Sequence, residues 1–285
     1  MKLCRFDHCR IGILDGAAIA DITPLFDDIA RPAWPYPPYD WMVHHFPQVK
    51  PRIDGFLATA RRFPADAVAV DSPVANPGKI IGAPINYRDH VDESNADREI
   101  NHGKTFTTLE QLGLFLKAGT ALLPSGGRVL IPFENRRTDH EVELVAVIGR
   151  AGRRISRAAA LDHVLGYSIG LDMTVRGPEF PGFRKSADTF AVVGPWLTTA
   201  DEVPDPNGLD LELRVNGELR QRSNTRCLIF DVERLIEYAS AMYTLCPGDL
   251  LFTGTPAGVG PVRPGDLIGA SIQGLGELHA EVGSL

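Results

Sequence analysis

The sequence predicts a β-rich α+β fold, and three observations support this prediction. From residue 166 onward, short apolar runs are separated by turn signals such as Asn216-Gly217, Pro247-Gly248 and Pro264-Gly265. Signals of this kind are typical of strands joined by tight turns. Few segments have helical periodicity, and strands do not alternate regularly with helices. This pattern disfavours a doubly wound parallel sheet.

The N-terminal part of the chain predicts a hairpin, a loop and one helix. Residues 3–23 form short strand-like runs broken at Asp15-Gly16, which suits a β-hairpin. Residues 31–41 contain four prolines and four aromatic residues, so an extended loop packed by its rings is expected. A helix is predicted over residues 52–62.

A proline-, glycine- and asparagine-containing cluster over residues 71–80 predicts a boundary between two domains. We therefore expect a small N-terminal α+β domain over residues 1–75 and a larger domain over residues 76–285.

Three elements are predicted in the larger domain. A short buried strand is expected at Ile80-Ile81-Gly82. A helix over residues 156–165 would be capped by Ser156, and a helix over residues 231–243 would be capped by Asp231.

Composition excludes several classes of function. The chain has 285 residues, a formal charge of −7 and a hydrophobic content of 44%. The negative charge disfavours nucleic acids and anionic membranes as main partners. The four cysteines show no metal-binding spacing, so reduced thiols in a cytoplasmic protein are expected. Every apolar run is interrupted well before a membrane span of about 18 residues, and no signal peptide is predicted.

Glu141 and Glu143 lie two residues apart in a run that otherwise predicts a buried strand. Side chains alternate between the faces of a strand, so both carboxylates are expected on one face. A solvated strand edge is one interpretation. Apolar neighbours on both faces favour a second interpretation, in which two buried like charges either raise the pKa of one carboxylate strongly or require a cation. Mg²⁺ is bound by such oxygen ligands, and Asp172 is the best candidate for a third.

The segment NYRDHVDE at 86–93 places His90 and Glu93 three residues apart. On a helical turn these side chains are neighbours, so Glu93 can orient His90 as a general base. A casual contact on a surface helix is the alternative.

Two further motifs have weaker functional interpretations. GYSIG at 166–170 matches a serine-nucleophile pattern, but the expected strand-to-helix turn is absent and only His279 follows Ser168. TGTPAGVG at 253–260 lacks the lysine of a phosphate-binding loop. That segment either presents Thr253 and Thr255 to a ligand or is a purely structural turn.

Taken together and in order, several motifs over about residues 80–275 resemble the fumarylacetoacetate hydrolase family. They are NYRDHVDE at 86–93, Phe115-Leu-Lys117, DHEVELVAVIG, GYSIGLDMTVR, RKSADTFAVVGPWL at 184–197, NGELRQ at 216–221 and TLCPGDLLFTGTPAGVG at 244–260. The resemblance implies a mixed β-roll catalytic domain behind a small N-terminal domain, usually assembled as a homodimer.

The resemblance also implies roles for individual residues. Glu141, Glu143 and Asp172 would bind Mg²⁺, with Mn²⁺ or Ca²⁺ as alternatives. The other implied site residues are His90 and Glu93 on a lid segment, Lys185 near the substrate or metal with Thr189 nearby, and Arg176 and Thr255 at the substrate.

The chain departs from the family pattern at three places. Arg176 is followed by Gly177-Pro178-Glu179, where the family usually continues R-D-x-Q, and Ala118 stands where proline is usual. The polar segment between Glu93 and Phe115 is also unusual. These departures leave the metal ligands and the His–Glu pair intact and leave the substrate open.

The function expected from these residues is metal-dependent hydrolysis of an acylpyruvate-type 1,3-dicarbonyl to pyruvate and a carboxylic acid. A cation bound by the three carboxylates would stabilise the enolate that forms as the C–C bond breaks, and His90 would activate water. Decarboxylation or isomerisation of a related 2-oxo acid, such as oxaloacetate, is the alternative. A catalytically silent metal-binding or structural protein is a third hypothesis.

Overall fold

The computed structural model describes residues 1–285, and it confirms the predicted β-rich α+β fold. Its strands in chain order are β1 Lys2–Phe6, β2 Arg10–Asp15, β3 Ala18–Asp21, β4 Arg62–Pro64, β5 Val70–Asp71, β6 Ile80–Gly82, β7 Phe115–Lys117, β8 Leu122–Pro124, β9 Arg128–Ile131, β10 Thr138–His140, β11 Val142–Ile148, β12 Val164–Asp172, β13 Thr174–Val175, β14 Ala191–Thr199, β15 Asp210–Val215, β16 Glu218–Asn224, β17 Leu250–Phe252, β18 Gly260–Pro261, β19 Leu267–Ile272 and β20 Gly276–Ser284.

Helices occupy a smaller part of the chain. They are α1 Trp41–Leu57, α2 Arg88–Ala96, α3 Arg98–Asn101, α4 Leu109–Leu112, α5 Pro181–Arg184 and α6 Val232–Met242. Six further short segments are single 3₁₀ turns, at Thr23–Phe26, Gly119–Ala121, Arg157–Ala159, Leu161–His163, Ala200–Glu202 and Thr225–Cys227. None of the helices has the length and apolar character that crossing a membrane requires.

Three sheets organise the strands. The largest has twelve strands, ten of them in the order β4-β3-β2-β1-β14-β12-β11-β17-β6-β7, with β5 paired to β1 and β8 paired to β14. A five-stranded sheet has the order β16-β15-β19-β20-β9, and a three-stranded sheet has the order β13-β10-β18.

The N-terminal strands extend the large sheet. β1 pairs with β14 through Leu3 and Leu197, and β1 to β4 continue the sheet outward from there. The hairpin predicted at Asp15-Gly16 is confirmed by the pairing of Asp15 with Ala18. The division of the chain into residues 1–75 and 76–285 stays a prediction.

Strand β11 lies between two core layers, because its side chains alternate between the faces of the sheet. Val145 and Val147 pack with the apolar side chains of α1 and the N-terminal strands. Leu144 and Ala146 pack with α6 and the five-stranded sheet. Both faces are therefore shielded from water, and Glu143, the second residue of the strand, is buried in this environment.

The helix predicted over residues 52–62 is wrong in its bounds. α1 begins at Trp41, where the side chain of Asp40 accepts a hydrogen bond from the N–H of Val43 at 3.0 Å. It continues through Pro47 and Pro51, each of which costs roughly 3 kcal/mol in a helix interior. Burying each large apolar side chain contributes about 1.5–3 kcal/mol. The helix buries five such residues, which outweighs the two prolines: Met42, Val43, Phe46, Val49 and Ile53.

The helix predicted over residues 156–165 is also wrong. The chain forms two 3₁₀ turns there, and Ser156 makes no side-chain cap. The backbone N–H groups of Gly149 and Arg150 both donate to the carbonyl of His163, which draws the segment into the start of β12 at Val164. A run this short is marginal as a helix, because helix nucleation is unfavourable.

The helix predicted over residues 231–243 is confirmed as α6, Val232–Met242. The side chain of Asp231 accepts a hydrogen bond from the N–H of Arg234 at 2.9 Å, as an N-cap residue should.

Candidate active site

The three carboxylates singled out in the sequence meet at the end of the β11–β12 pair. Glu143 lies opposite Gly170 in the antiparallel register, and the N–H of Asp172 donates to the carbonyl of Glu141 at 2.9 Å. Cross-strand neighbours point to the same face of a sheet. This register places ligand oxygens of Glu141, Glu143 and Asp172 within 4.8 Å of one another, and all three residues are buried.

Two buried lysines contact this carboxylate cluster. The ammonium of Lys185 donates to Glu141 Oε2 at 2.6 Å, to Asp172 Oδ2 at 2.7 Å and to Thr174 Oγ1 at 2.7 Å. Lys117 donates to Asp172 Oδ1 and, at 2.7 Å, to the carbonyl of Phe190. A lysine has three donors, so those of Lys185 are fully used.

The charges of the carboxylates are unequally compensated. Burial alone would raise the pKa of Glu141, but Lys185, Arg176 and His90 outweigh burial and lower that pKa to about 2. Glu143 has no ion-pair partner and accepts one hydrogen bond, from the N–H of Gly254 at 2.6 Å. Burial raises the pKa of Glu143 well above its usual value, and the neighbouring Asp172 raises it further.

This donor set fits a divalent cation. Its three carboxylates offer hard oxygen ligands of the kind that Mg²⁺ and Mn²⁺ accept. Lys185 pairs with Glu141 and Asp172 and leaves Glu143 without an ion-pair partner, so a cation bound beside Glu143 would be favoured.

A chain of ion pairs links the cluster to the predicted lid, defined as α2 to α4 over residues 88–112. Arg176 donates to Glu141 Oε1 at 3.1 Å and to Asp139 Oδ2 at 2.8 Å. Arg137 donates to the other oxygen of Asp139 at 2.7 Å and to Asp97 Oδ2 at 2.9 Å. The start of α3 is therefore held to the strands that carry the carboxylates.

His90 and Glu93 form the contact that the sequence predicts. His90 Nδ1 lies 2.9 Å from Glu93 Oε2, and the residue is 3% exposed. The other oxygen of Glu93 accepts a hydrogen bond from the N–H of Gly258 at 2.8 Å. If the carboxylate accepts from Nδ1–H, Nε2 is the nitrogen available as a base, and His90 lines the cavity described next.

A cavity of about 660 Å³ lies between the cluster, the lid and the segment around α5. Glu141, Arg176 and Lys185 line its inner part together with His90. Its other charged or titratable lining residues are His102, Lys104, Glu179 and Arg184.

The structure does not place the two predicted threonines at this cavity. Thr189 Oγ1 accepts a hydrogen bond from the N–H of Leu130 at 2.9 Å, and Thr255 Oγ1 donates to the carbonyl of Val142 at 2.9 Å. Neither residue lines the cavity. Their hydroxyls hold neighbouring backbone in place, and a substrate contact by either residue stays a prediction.

The TGTPAGVG segment supports the site through its backbone. The N–H groups of Gly254 and Gly258 bind Glu143 and Glu93. Both glycines have φ of +98°, and a Cβ would lie 2.6 Å from Asn86 Cβ at Gly254 and 2.2 Å from a backbone oxygen at Gly258. Only glycine fits these two positions, which explains the motif better than a phosphate-binding loop does.

Ser168 is excluded as a nucleophile. It is fully buried within β12, and its hydroxyl donates to the carbonyl of Trp196 at 2.7 Å. The nucleophile pattern at 166–170 is therefore a coincidence of strand composition.

Sequence reasoning missed several residues of the site. Lys117 appeared only as part of a motif, and Asp139, Arg137 and Arg184 had no predicted role. Alternation in the strand Phe115–Lys117 is the one signal that could have placed Lys117 on the inner face.

Comparisons with known proteins place these residues in a wider context. Residues 79–283 match the family model described as fumarylacetoacetate (FAA) hydrolase C-terminal. The chain is 46% identical over 287 residues to the maleylpyruvate hydrolase of Aquipseudomonas alcaligenes, with 100% of both chains covered. It is 40% identical over 204 residues to the mitochondrial oxaloacetate tautomerase FAHD1 of Mus musculus, covering 69% of this chain and 88% of that protein.

A solved structure is similar over the whole chain. It is the maleylpyruvate hydrolase from Sphingobium sp. SYK-6 in complex with a manganese(II) ion and pyruvate, at 41% identity and a TM-score of 0.86. The similarity covers 100% of this chain and 99% of that chain.

Proposed function

The chain belongs to the fumarylacetoacetate hydrolase family, and from this premise we propose that it is a divalent-metal-dependent hydrolase of acylpyruvates. It cleaves a C–C bond of the substrate to give pyruvate and a carboxylic acid. The names of the full-length relatives point to maleylpyruvate as the substrate. The observation that carries the proposal is the buried cluster of Glu141, Glu143 and Asp172, because Glu141 lines the same cavity as His90.

Glu141, Glu143 and Asp172 would bind the cation, which we propose is Mg²⁺ or Mn²⁺. When bound, it supplies a Lewis acid for the negative charge that develops on the 2-oxo acid part of the substrate. Lys185 positions Glu141 and Asp172, since its three donors are used within the protein. Arg176 lines the cavity, and the one Nη that makes no hydrogen bond within the protein is available for a substrate carboxylate.

His90 takes a proton from water through Nε2, while Glu93 holds the ring and stabilises its protonated form. The resulting hydroxide attacks the distal carbonyl carbon. The C–C bond then breaks, its electron pair passes to the pyruvate part as an enolate, and the acyl part leaves as a carboxylic acid. The proton held by His90 returns to the enolate carbon and completes pyruvate.

Decarboxylation or tautomerisation of oxaloacetate is the second candidate, because a relative 40% identical to this chain is named an oxaloacetate tautomerase. Those reactions need no hydrolytic water. Replacing His90 by alanine should therefore stop hydrolysis and spare a decarboxylase.

A substrate panel tests the proposal. Maleylpyruvate, fumarylpyruvate, acetylpyruvate and oxaloacetate are incubated with the protein with and without Mg²⁺, and pyruvate and the released acid are quantified. We expect equal amounts of pyruvate and acid from the acylpyruvates. Turnover of oxaloacetate alone would contradict the proposal.

We also propose that the protein is a homodimer, as the family resemblance implies. Phe180 precedes α5 and is 85% exposed, and Phe183 lies within α5 and is 62% exposed, which offers apolar surface beside the cavity. Light scattering should give twice the chain mass of 31.0 kDa. A monomer mass at micromolar concentration would contradict this assignment.

A further inference from the structure

The segment that departs from the family pattern forms one wall of the cavity. Arg136 makes two hydrogen bonds to the carboxylate of Glu179, at 2.8 and 3.1 Å, and donates to the carbonyl of Arg176 at 2.8 Å. This pair fills the space beside Gly177. A Cβ at Gly177 would lie 1.9 Å from Arg136 Nη2, so a side chain there would displace the ion pair from this position.

Arg184 projects from this wall without a carboxylate partner. Its Nε donates to the carbonyl of Glu179 at 2.9 Å, and one Nη donates to the carbonyl of Val175 at 3.3 Å. The second Nη makes no hydrogen bond within the protein, and the residue lines the cavity. By contrast, Arg176 and Lys185 each have two carboxylate partners.

The carboxylates nearest Arg184 are already paired with other cations. Of the two carboxylates that line the cavity, Glu141 is bound by Lys185 and Arg176, and Glu179 is bound by Arg136. Burial lowers the pKa of Arg184, and the nearby Arg176 lowers it further. A half-buried guanidinium with open donors and a cationic neighbour favours an anionic ligand.

The lid adds a second cation on the same side. Lys104 lines the cavity, and its ammonium lies 3.4 Å from the carbonyl of Pro178, in the segment that carries Arg184. No carboxylate of the lid lines the cavity. The lid therefore brings positive charge and no carboxylate to the cavity that Arg184 lines.

We propose that Arg184, assisted by Lys104, binds a second carboxylate at the far end of the acyl group of the substrate. The enzyme would then select acylpyruvates whose acyl part is itself a dicarboxylic acid over those that end in a methyl group. This inference rests on the proposed hydrolase function and adds the residue that sets its substrate class.

The test compares a dicarboxylic and a monocarboxylic substrate. In Arg184→Gln, we expect kcat/KM for maleylpyruvate to fall roughly 10- to 100-fold, since hydrogen bonds to charged groups have this effect. We expect kcat/KM for acetylpyruvate to change less than about threefold, which also shows that the variant folds. Arg184→Lys should retain part of the preference. Arg128→Gln, a change at an exposed ion pair with Glu281 outside the cavity, is the matched control.

Binding of maleate, the acid released from maleylpyruvate, gives a readout independent of turnover. Calorimetry should detect maleate binding to the wild type in the presence of Mg²⁺ and weaker binding to Arg184→Gln. Equal maleate affinity, or equal losses on both substrates, would overturn the assignment of Arg184. The hydrolase proposal would still stand if the wild type releases pyruvate. If no acylpyruvate gave pyruvate, the hydrolase proposal would be wrong. The maleate-binding measurement would then test the anion site at Arg184 independently of turnover.

Discussion

Replacing Glu143 by glutamine separates metal binding from folding. Glu143 is buried, forms no ion pair and accepts one hydrogen bond, from Gly254. Glutamine keeps the shape and the acceptor oxygen while removing a charge that the metal-free site disfavours. We therefore expect metal-free Glu143→Gln to unfold at the same temperature as the wild type or higher.

The effect of the cation on the melting temperature follows from the chain length. An unfolding entropy of about 2.1 cal/mol/K per residue gives roughly 0.6 kcal/mol/K for 285 residues. A cation at about 100 times its Kd stabilises the wild type by about 2.7 kcal/mol, or about 4–5 °C. A hundredfold weaker site leaves about 0.4 kcal/mol at the same concentration, which is less than about 1 °C.

The assay is a thermal melt of chelator-treated protein with and without Mg²⁺ or Mn²⁺. Glu281→Gln, at an exposed ion pair with Arg128, is the matched control and should keep the full shift. An undiminished shift in Glu143→Gln would refute its role as a ligand. A much lower melting temperature of the metal-free variant would show that the metal-free site does not disfavour the negative charge of Glu143.

Three further predictions concern the lid, the base and pH. His90→Ala should reduce hydrolysis by a factor of about 100 to 10,000, the usual contribution of general base catalysis, with metal-induced melting shifts unchanged; an active variant would exclude His90 as the base. Arg137→Gln removes the link between Asp97 and Asp139 and should raise KM more than it lowers kcat in steady-state assays. Unchanged kinetics would show that this link does not hold the lid. Folding raises the pKa of Glu143, so the metal-free wild type should lose stability as pH rises from about 4.5 through that higher pKa. Thermal melts of Glu143→Gln should lack this loss of stability. Parallel pH profiles of the two proteins would contradict the assignment of the loss to Glu143.

The sequence contained enough information to bring the carboxylate cluster together. Alternation placed Glu141 and Glu143 on one face of a strand, and a strand-like run placed Asp172 in reach. These signals are local, because the neighbouring residues alone show that the strand is apolar on both faces. A carboxylate buried in such a strand needs a compensating charge or hydrogen bond. The cap at Asp231 was predictable for the same reason, since its hydrogen bond spans three residues.

Contacts between distant segments were not predictable in this way. Arg137 meets Asp97 across 40 positions, and Arg136 meets Glu179 across 43. Nothing in the composition near Arg184 shows that it lacks a carboxylate partner. The predicted bounds of α1 were wrong for a related reason. Tertiary burial of Val43, Phe46 and their neighbours outweighs the local cost of two prolines.

The most direct test of the account is product formation during a metal titration. Chelator-treated protein is given maleylpyruvate and increasing Mn²⁺, and pyruvate and maleate are measured together. We expect no turnover without the ion, saturation at one bound ion per chain, and the two products in equal amounts. Full turnover in the presence of chelator would contradict the account.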